Sequence, residues 1–432
     1  MTNKTVNTPL LASLVFSSLL SPVAMAACEG TDLNVCPVPF DQRLPNTHDM
    51  LTWHQAHRVV GFRNDYRNYA GDVFHHGNAT PLLAADKPLT DIHYQFDGKT
   101  YSLQDYLKRQ NVSGMLVLKD GKIAWKYLGE GNTDSTLWTS RSVGKSVVST
   151  LIGIAIKEDK IHSLDELITQ YEPDLKDTAW DGVTLKQLIT HTSGVEWNED
   201  YTNPESDFAQ LTECEAKPGT YECVRKLVAG LHRKDPAGEN WSYSSGGAWL
   251  LGDILERATG MPLAAYLEKS IWKPYGMASD GVWHAYIKGQ HDVGAHGFNA
   301  TLEDWGRFGL FILNNGMLPN GKQIMPENWV EQSSHWTHAI GSVSRAHPNG
   351  LYGYQWWNNE VPLDATNVAP AIKDTMKNSL WALGIFGQMI MVNQKENLVI
   401  VQWSTWPEAE PSFNSQPLEA SLMFNSIANV LR

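Results

Sequence analysis

The sequence predicts an α+β sandwich, with an antiparallel sheet built from both termini, flanking helices and an inserted, mainly helical region. Three observations predict it. Ser113 to Leu128 reads as a hairpin: Met115-Leu116-Val117-Leu118, the turn Asp120-Gly121, then Ile123-Ala124-Trp125-Lys126-Tyr127. Asp-Gly between two such runs is a strong hairpin signal. Gln388–Val392 and Leu398–Trp403 form a second hairpin pattern around Asn393–Asn397. Between them, Val143–Lys157 is apolar, β-branched and free of proline, which reads as a buried helix, and helix and loop patterns fill the following hundred residues. Strands at both ends with helices between suit one sheet completed by the chain's return. The crevice between sheet and insert is then the default active site.

Residues 1–26 read as a removed export signal. Lys4 is the lone charge before the apolar stretch Leu10–Leu20, and Pro22 precedes Ala24-Met25-Ala26, which has the small-x-small form of a signal-peptidase site. That stretch is too short for a permanent anchor, and no other stretch is long enough either. Periplasmic or secreted residence follows. Residues 27–110 read as a leader and irregular region, rich in Pro and Asn over 27–50. Residues 111–432 form the main domain, with its helical insert at about 158–300. Leu418–Leu431 reads as a closing helix.

Cys28, Cys36, Cys214 and Cys223 fall into two close pairs. Export makes two local disulfides the natural reading, although four cysteines allow three connectivities. Met25-Ala26-Ala27-Cys28 also resembles a lipoprotein box, but lipidation at Cys28 would leave Cys36 unpaired.

At 432 residues the chain suits one large domain or two intimately joined ones. Hydrophobic residues make up 42% and charged residues 19%, enough for a sizeable core and against global disorder. A net charge of -13 with no basic cluster argues against a nucleic-acid partner. His54, His57, His75 and His76 lack a zinc-type spacing, so no catalytic metal is expected. No phosphate-loop pattern appears, and no cofactor is expected.

The chemistry concentrates in three places. In Ser142-Val143-Gly144-Lys145, serine and lysine lie three apart, on one face of a helix. Lysine then reaches the hydroxyl from one turn away, and a serine needs such a neighbour to become a nucleophile. A helix opening at Ser142 adds free N–H groups that favour an oxyanion. The bland alternative is a helix cap beside a solvated lysine. A second copy of the pattern, Ser270-Ile271-Trp272-Lys273, runs straight into Pro274, so no buried helix continues behind it.

Tyr243-Ser244-Ser245 supplies a phenol. Beside a protonated lysine its anion forms more easily, so Tyr243 could take and return the Ser142 proton. Gly384-Ile385-Phe386-Gly387-Gln388 supplies glycines beside an expected edge strand, where a backbone N–H can approach a ligand. The N–H groups of Ser142 and Ile385 would then cradle an oxyanion.

These motifs, in this order, resemble the serine β-lactamase and penicillin-recognising superfamily. The class C-like branch, with its carboxylesterases and 6-aminohexanoate-dimer hydrolases, is the most similar. The resemblance runs from about Asn111 to Arg432. It includes His191-Thr192-Ser193-Gly194, Lys273-Pro274-Tyr275-Gly276-Met277, Asn299-Ala300-Thr301 with Asp304 and Arg307-Phe308-Gly309, and Gly353-Tyr354-Gln355-Trp356-Trp357. It implies a β-lactamase/transpeptidase-like fold, Ser142 as nucleophile, Lys145 as its partner and Tyr243 as proton shuttle. It also implies substrate-lining roles for Tyr201, His296, Gly384 and Ser245.

Two motifs depart from the β-lactamase pattern. Tyr-x-Asn is here Tyr243-Ser244-Ser245, as in oligomer hydrolases and esterases. Lys-Thr-Gly is replaced by Ala382-Leu383-Gly384, which removes the lysine that helps bind a β-lactam carboxylate. The expectation is therefore a serine hydrolase of small esters or linear amides. A β-lactamase or DD-peptidase stands second, and a non-catalytic sensor on the same scaffold third.

Overall fold

The computed structural model describes Met1 and residues 47–216, 221–334, 351–358, 379–412 and 415–432. Met1 apart, the expected export signal lies outside the described residues, as do Cys28 and Cys36. In chain order the strands are β1 (Ala70–Phe74), β2 (His93–Phe96), β3 (Lys99–Ser102), β4 (Val112–Lys119), β5 (Lys122–Leu128), β6 (Trp138–Thr139), β7 (Gly281–Ile287), β8 (His291–Asp292), β9 (Phe298–Ala300), β10 (Leu351–Tyr352), β11 (Trp357–Asn358), β12 (Ser379–Gly384), β13 (Gln388–Asn393) and β14 (Leu398–Ser404). The helices are α1 (Gln55–Asn64), α2 (Leu103–Arg109), α3 (Val143–Lys157), α4 (Leu185–Ile189), α5 (Asp207–Glu215), α6 (Tyr221–Ala229), α7 (Ser245–Thr259), α8 (Leu263–Leu267), α9 (Lys273–Tyr275), α10 (Leu302–Leu313), α11 (Trp329–Ser334) and α12 (Gln416–Val430).

The expected two-ended sheet is present, in the order β10-β11-β12-β13-β14-β4-β5. Every neighbouring pair is antiparallel. The chain's return is explicit where β14 meets β4, with Ile400 opposite Val117. At the first hairpin, Asp120 and Gly121 have φ of 51° and 75°. Two successive positive φ values match the right-handed twist of the strands, as a tight hairpin turn requires.

The strand sequences are apolar throughout because both faces are covered. Side chains alternate across a strand. Leu116 and Leu118 pack into the core that contains α3 and α10, whereas Met115 and Val117 pack with Met423, Phe424 and Ile427 of α12. The result is helix, sheet, helix in three layers.

One expectation needs correction. Residues 47–110 are not an irregular leader: the stretch carries α1, α2 and three strands. The mainly helical insert also carries strands. It contributes β7, β8 and β9 to a second sheet of order β1-β7-β9-β6, with β8 on β7. Strand β1 pairs with β7 across more than two hundred residues, Ala70 opposite Ala285. Single-sequence patterns cannot show such a pairing, because β1 gains its stability only from that distant partner.

Trp138 joins the two sheets directly below the first motif. It lies in β6, stacks on Trp403 at 5.3 Å and 6°, and donates from Nε1 to Gln388 Oε1 at 2.8 Å. Trp138→Ala should therefore destabilise the fold by about 3–5 kcal/mol, read as a lower urea midpoint with an unchanged slope.

Candidate active site

Strand β6 delivers the chain to the opening of α3. Ser140 N–H donates to Phe298 O at 2.8 Å, and Arg141 then turns with φ 48°. Ser142 occupies the cap position of α3, yet its hydroxyl caps no backbone N–H. The helix-cap alternative therefore fails, and the hydroxyl is used elsewhere. Lys145 Nζ donates to Ser142 Oγ at 2.9 Å and to Ala295 O at 2.9 Å. Lys145 is only 2% exposed. Two further serines lock the helix from behind: Ser146 Oγ donates to Gln355 O and Ser149 Oγ to Tyr354 O, each at 2.6 Å.

Tyr243 arrives from the loop before α7. Ser244 caps that helix by accepting from Gly247 N–H at 2.9 Å. The phenol ring packs between His191 at 4.8 Å and Trp357 at 5.8 Å. Its hydroxyl is near enough to Ser142 for that side chain to favour its ionisation, and the Lys145 amine lies 5.2 Å from its ring centroid. The structure thus brings the Ser142 hydroxyl, the Lys145 amine and the Tyr243 ring to one place.

Burial lowers the Lys145 pKa to about 8, against the opposing pull of Glu199 and Glu215. Burial and the Glu199 charge raise the Tyr243 pKa, although the Ser142 side chain works the other way. The lysine, not the phenol, is therefore the group poised to lose its proton near neutral pH. His191 is held neutral by burial and by Lys145.

Gly384 and Ile385 close the site from the sheet. Strand β12 is an inner strand rather than the expected edge, but β11 pairs only with Leu380 and Trp381. Among the described residues, Ala382–Gly384 have no strand partner on the β11 side. A Cβ on Gly384 would sit 2.7 Å from Ser140 O and 3.1 Å from Ser142 N. Only glycine lets the strand approach so closely. Among the described residues, neither the Ser142 nor the Ile385 N–H donates to a protein acceptor.

The cleft over Ser142 holds about 620 Å³ and is walled by Trp197, Trp241, Trp357 and Trp406. Tyr201 lines it, as expected. Behind Ser142, a cavity of about 40 Å³ is lined by Ser245, His296 and Ile385. His296 Nε2 lies 2.9 Å from Glu215 Oε2, and Tyr286 OH donates to Glu215 Oε1 at 2.6 Å. Burial opposes ionisation of Glu215, but His296 and Tyr286 outweigh it and hold its pKa below the usual range.

One site residue escaped the sequence reading. Glu199 Oε1 accepts from Ser245 Oγ at 2.6 Å and from Tyr201 OH at 3.0 Å, and Oε2 accepts from Ser245 N–H at 3.0 Å and from Trp197 Nε1. It ties the Tyr201 loop to the start of α7. Its only signal was position, two residues before Tyr201.

The Beta-lactamase family model matches residues 102–421, most of the chain. This chain belongs to that family. A 6-aminohexanoate-dimer hydrolase of Paenarthrobacter ureafaciens is 25% identical, over 71% of this chain and 76% of that protein. A β-lactamase of Providencia stuartii is 27% identical, over 52% of this chain and 56% of that protein. An esterase of Burkholderia gladioli is 29% identical, over 37% and 42%. Among solved structures, the "Putative 6-aminohexanoate-dimer hydrolase from Bacillus anthracis" shares the fold, with a TM-score of 0.74, 22% identity and coverage of 90% of this chain and 99% of that one. The β-lactamase/transpeptidase-like fold and a serine hydrolase of this family are thereby shown.

The Glu199 carboxylate raises the pKa of both Lys145 and Tyr243. Glu199→Gln should lower both, taking Lys145 further below about 8. Titration of the lysine by nitrogen-15 NMR checks the sign; an upward shift contradicts it.

Proposed function

We propose that the chain hydrolyses small esters or linear amides through an acyl-enzyme at Ser142. The observation that carries this reading is the buried Lys145 amine 2.9 Å from the Ser142 hydroxyl. Neutral Lys145 takes the Ser142 proton as the oxygen attacks the substrate carbonyl. The N–H groups of Ser142 and Ile385 hold the resulting oxyanion. Tyr243, kept as a phenol, donates its proton to the leaving group. Water then releases the acyl group, with the same residues working in reverse. Tyr201 and Ser245, joined by Glu199, bound the acyl side, and His296 supports the backbone that binds Lys145.

Esters and linear amides rank above β-lactams because the cleft offers no cation for a substrate carboxylate. Its described lining contains no lysine or arginine but does contain Glu199, Asp200, Glu408 and Glu410. Export belongs to the same proposal. It rests on the Leu10–Leu20 stretch and on the Cys214–Cys223 disulfide, whose Cα atoms lie 5.5 Å apart.

A fluorophosphonate probe should label Ser142, and Ser142→Ala should abolish both labelling and turnover of p-nitrophenyl esters. Labelling of another serine removes the assignment. Nitrocefin turnover faster than that of every ester and linear amide tested would instead put a β-lactamase first.

The proton inventory gives a second test. Because the amine must be neutral to accept a proton, kcat/KM should rise with pH through an apparent pKa near 8. A profile flat from pH 6 to 9 (about three units, roughly two of them below the Lys145 value) excludes Lys145 as the base.

A further inference from the structure

The cavity of about 40 Å³ behind Ser142 is distinct from the open cleft. Ser142, Tyr201 and Ile385 line both spaces and so divide them. Met50, Phe208 and Thr212 form part of its wall, and Arg141, Glu215 and His296 belong to its polar lining.

Size limits what it can hold. One water takes roughly 10–15 Å³ of such volume, so this cavity suits about three. A whole substrate arm needs far more, since ligand pockets start at about 300 Å³.

The polar lining suits water as well. His296 Nε2 lies 2.9 Å from Glu215 Oε2, and its neighbours hold Glu215 in the ionised form. An ionised carboxylate only accepts hydrogen bonds, so in the neutral ring Nε2 carries the hydrogen and Nδ1 offers a lone pair. That Nδ1 is buried and meets no partner among the described residues. The pairing with Glu215 therefore uses one ring nitrogen and leaves the other to a further ligand.

Arg141 is an independent observation from a different element. It precedes α3, is 6% exposed, and lines the same cavity. Its Nη1 lies 3.5 Å from Asp65 Oδ2, but its Nε and Nη2 donate to nothing among the described residues. Buried polar groups of this kind are satisfied by protein or by ordered water. Here the two are opposite in kind: the imidazole can accept a water O–H, and the guanidinium can donate to the water oxygen.

We infer that this cavity binds the water that hydrolyses the acyl-enzyme, and that His296 and Arg141 position it. The inference rests on the acyl-enzyme at Ser142 proposed above. Because Ser142 is part of the cavity wall, the water is stored beside the acyl carbon and need not enter through a cleft filled by substrate. The step balances on residues already assigned. The water oxygen bonds to the acyl carbon, and the bond from that carbon to Ser142 Oγ breaks. Tyr243, which gave its proton to the leaving group, recovers one from the water. Lys145 returns to Oγ the proton it took from it.

The test is a competition for the acyl group, run on the full chain with p-nitrophenyl acetate and added 1-butanol. Butanol is too large for the cavity and must attack from the cleft. The ratio of butyl acetate to acetate is decided after acylation, so damage to acylation or a smaller folded fraction does not move it. Thr212→Leu fills the cavity, and His296→Phe keeps a ring but removes Nδ1. Each should raise the ratio by about tenfold or more, because a displaced nucleophile reacts that much more slowly. An unchanged ratio in either folded variant overturns the inference. A parent chain that forms no acetyl adduct on Ser142 removes instead the acyl-enzyme on which it rests.

Discussion

An amine with 2% exposure is the constraint around which this protein is arranged. Lys145 sits in the first turn of a largely apolar, buried helix, where a full charge is costly. Burial alone would drive the lysine neutral. Glu199 and Glu215 pull the other way without touching it, and the balance falls near neutrality. Two acceptors, Ser142 Oγ and Ala295 O, meet the amine directly. A surface lysine would remain protonated and could take nothing from serine. A lysine buried without these acceptors would leave its polar head unsatisfied.

That arrangement enlists parts of the chain that look unrelated in sequence. Arg141 adopts a left-handed φ immediately before Ser142, a conformation that costs about 1–2 kcal/mol for an L-residue. The cost is met by tertiary contacts. The Arg141 guanidinium lies 4.7 Å from the Phe62 ring centroid and 3.5 Å from Asp65 Oδ2. Thr139 donates to the same carboxylate oxygen at 2.7 Å. Helix α1 and the residues just after it thus brace the turn that presents Ser142. The segment that reads as a leader is part of the scaffold around Ser142.

Local signals were legible and distant ones were not. Helix α3 spans Val143–Lys157, as its proline-free apolar run predicts, and both hairpins fall where alternating apolar runs flank turn residues. Ser142, Lys145 and Tyr243 were legible because motif spacing encodes a helix face and a loop. Strand β1 was not, since its partner lies beyond residue 280. Glu199 was invisible for a related reason: a carboxylate in a loop acquires meaning only when Ser245, Tyr201 and Trp197 converge on it. The proposed proton acceptor rests on the structure rather than on spacing. Spacing shows that lysine and tyrosine are near the serine, but only burial and neighbouring charge decide which one gives up its proton.

The third motif shows how one substitution reaches beyond its own position. Ala382 stands where the β-lactamase pattern has lysine, and it is completely buried in the core that holds α3 and α10. Its methyl group completes that packing and leaves nothing to project into the cleft. Gly384, two residues on, keeps the strand close enough to bring Ile385 to the mouth of α3. The strand thus retains the backbone half of its role, which needs only N–H groups. It has lost the side-chain half, which needs a cation. The neighbouring walls do not restore that charge, since they carry tryptophan and carboxylate. Carbonyl activation and carboxylate recognition are separable physical tasks on one strand, and among the described residues this strand offers the cleft backbone N–H groups but no cation.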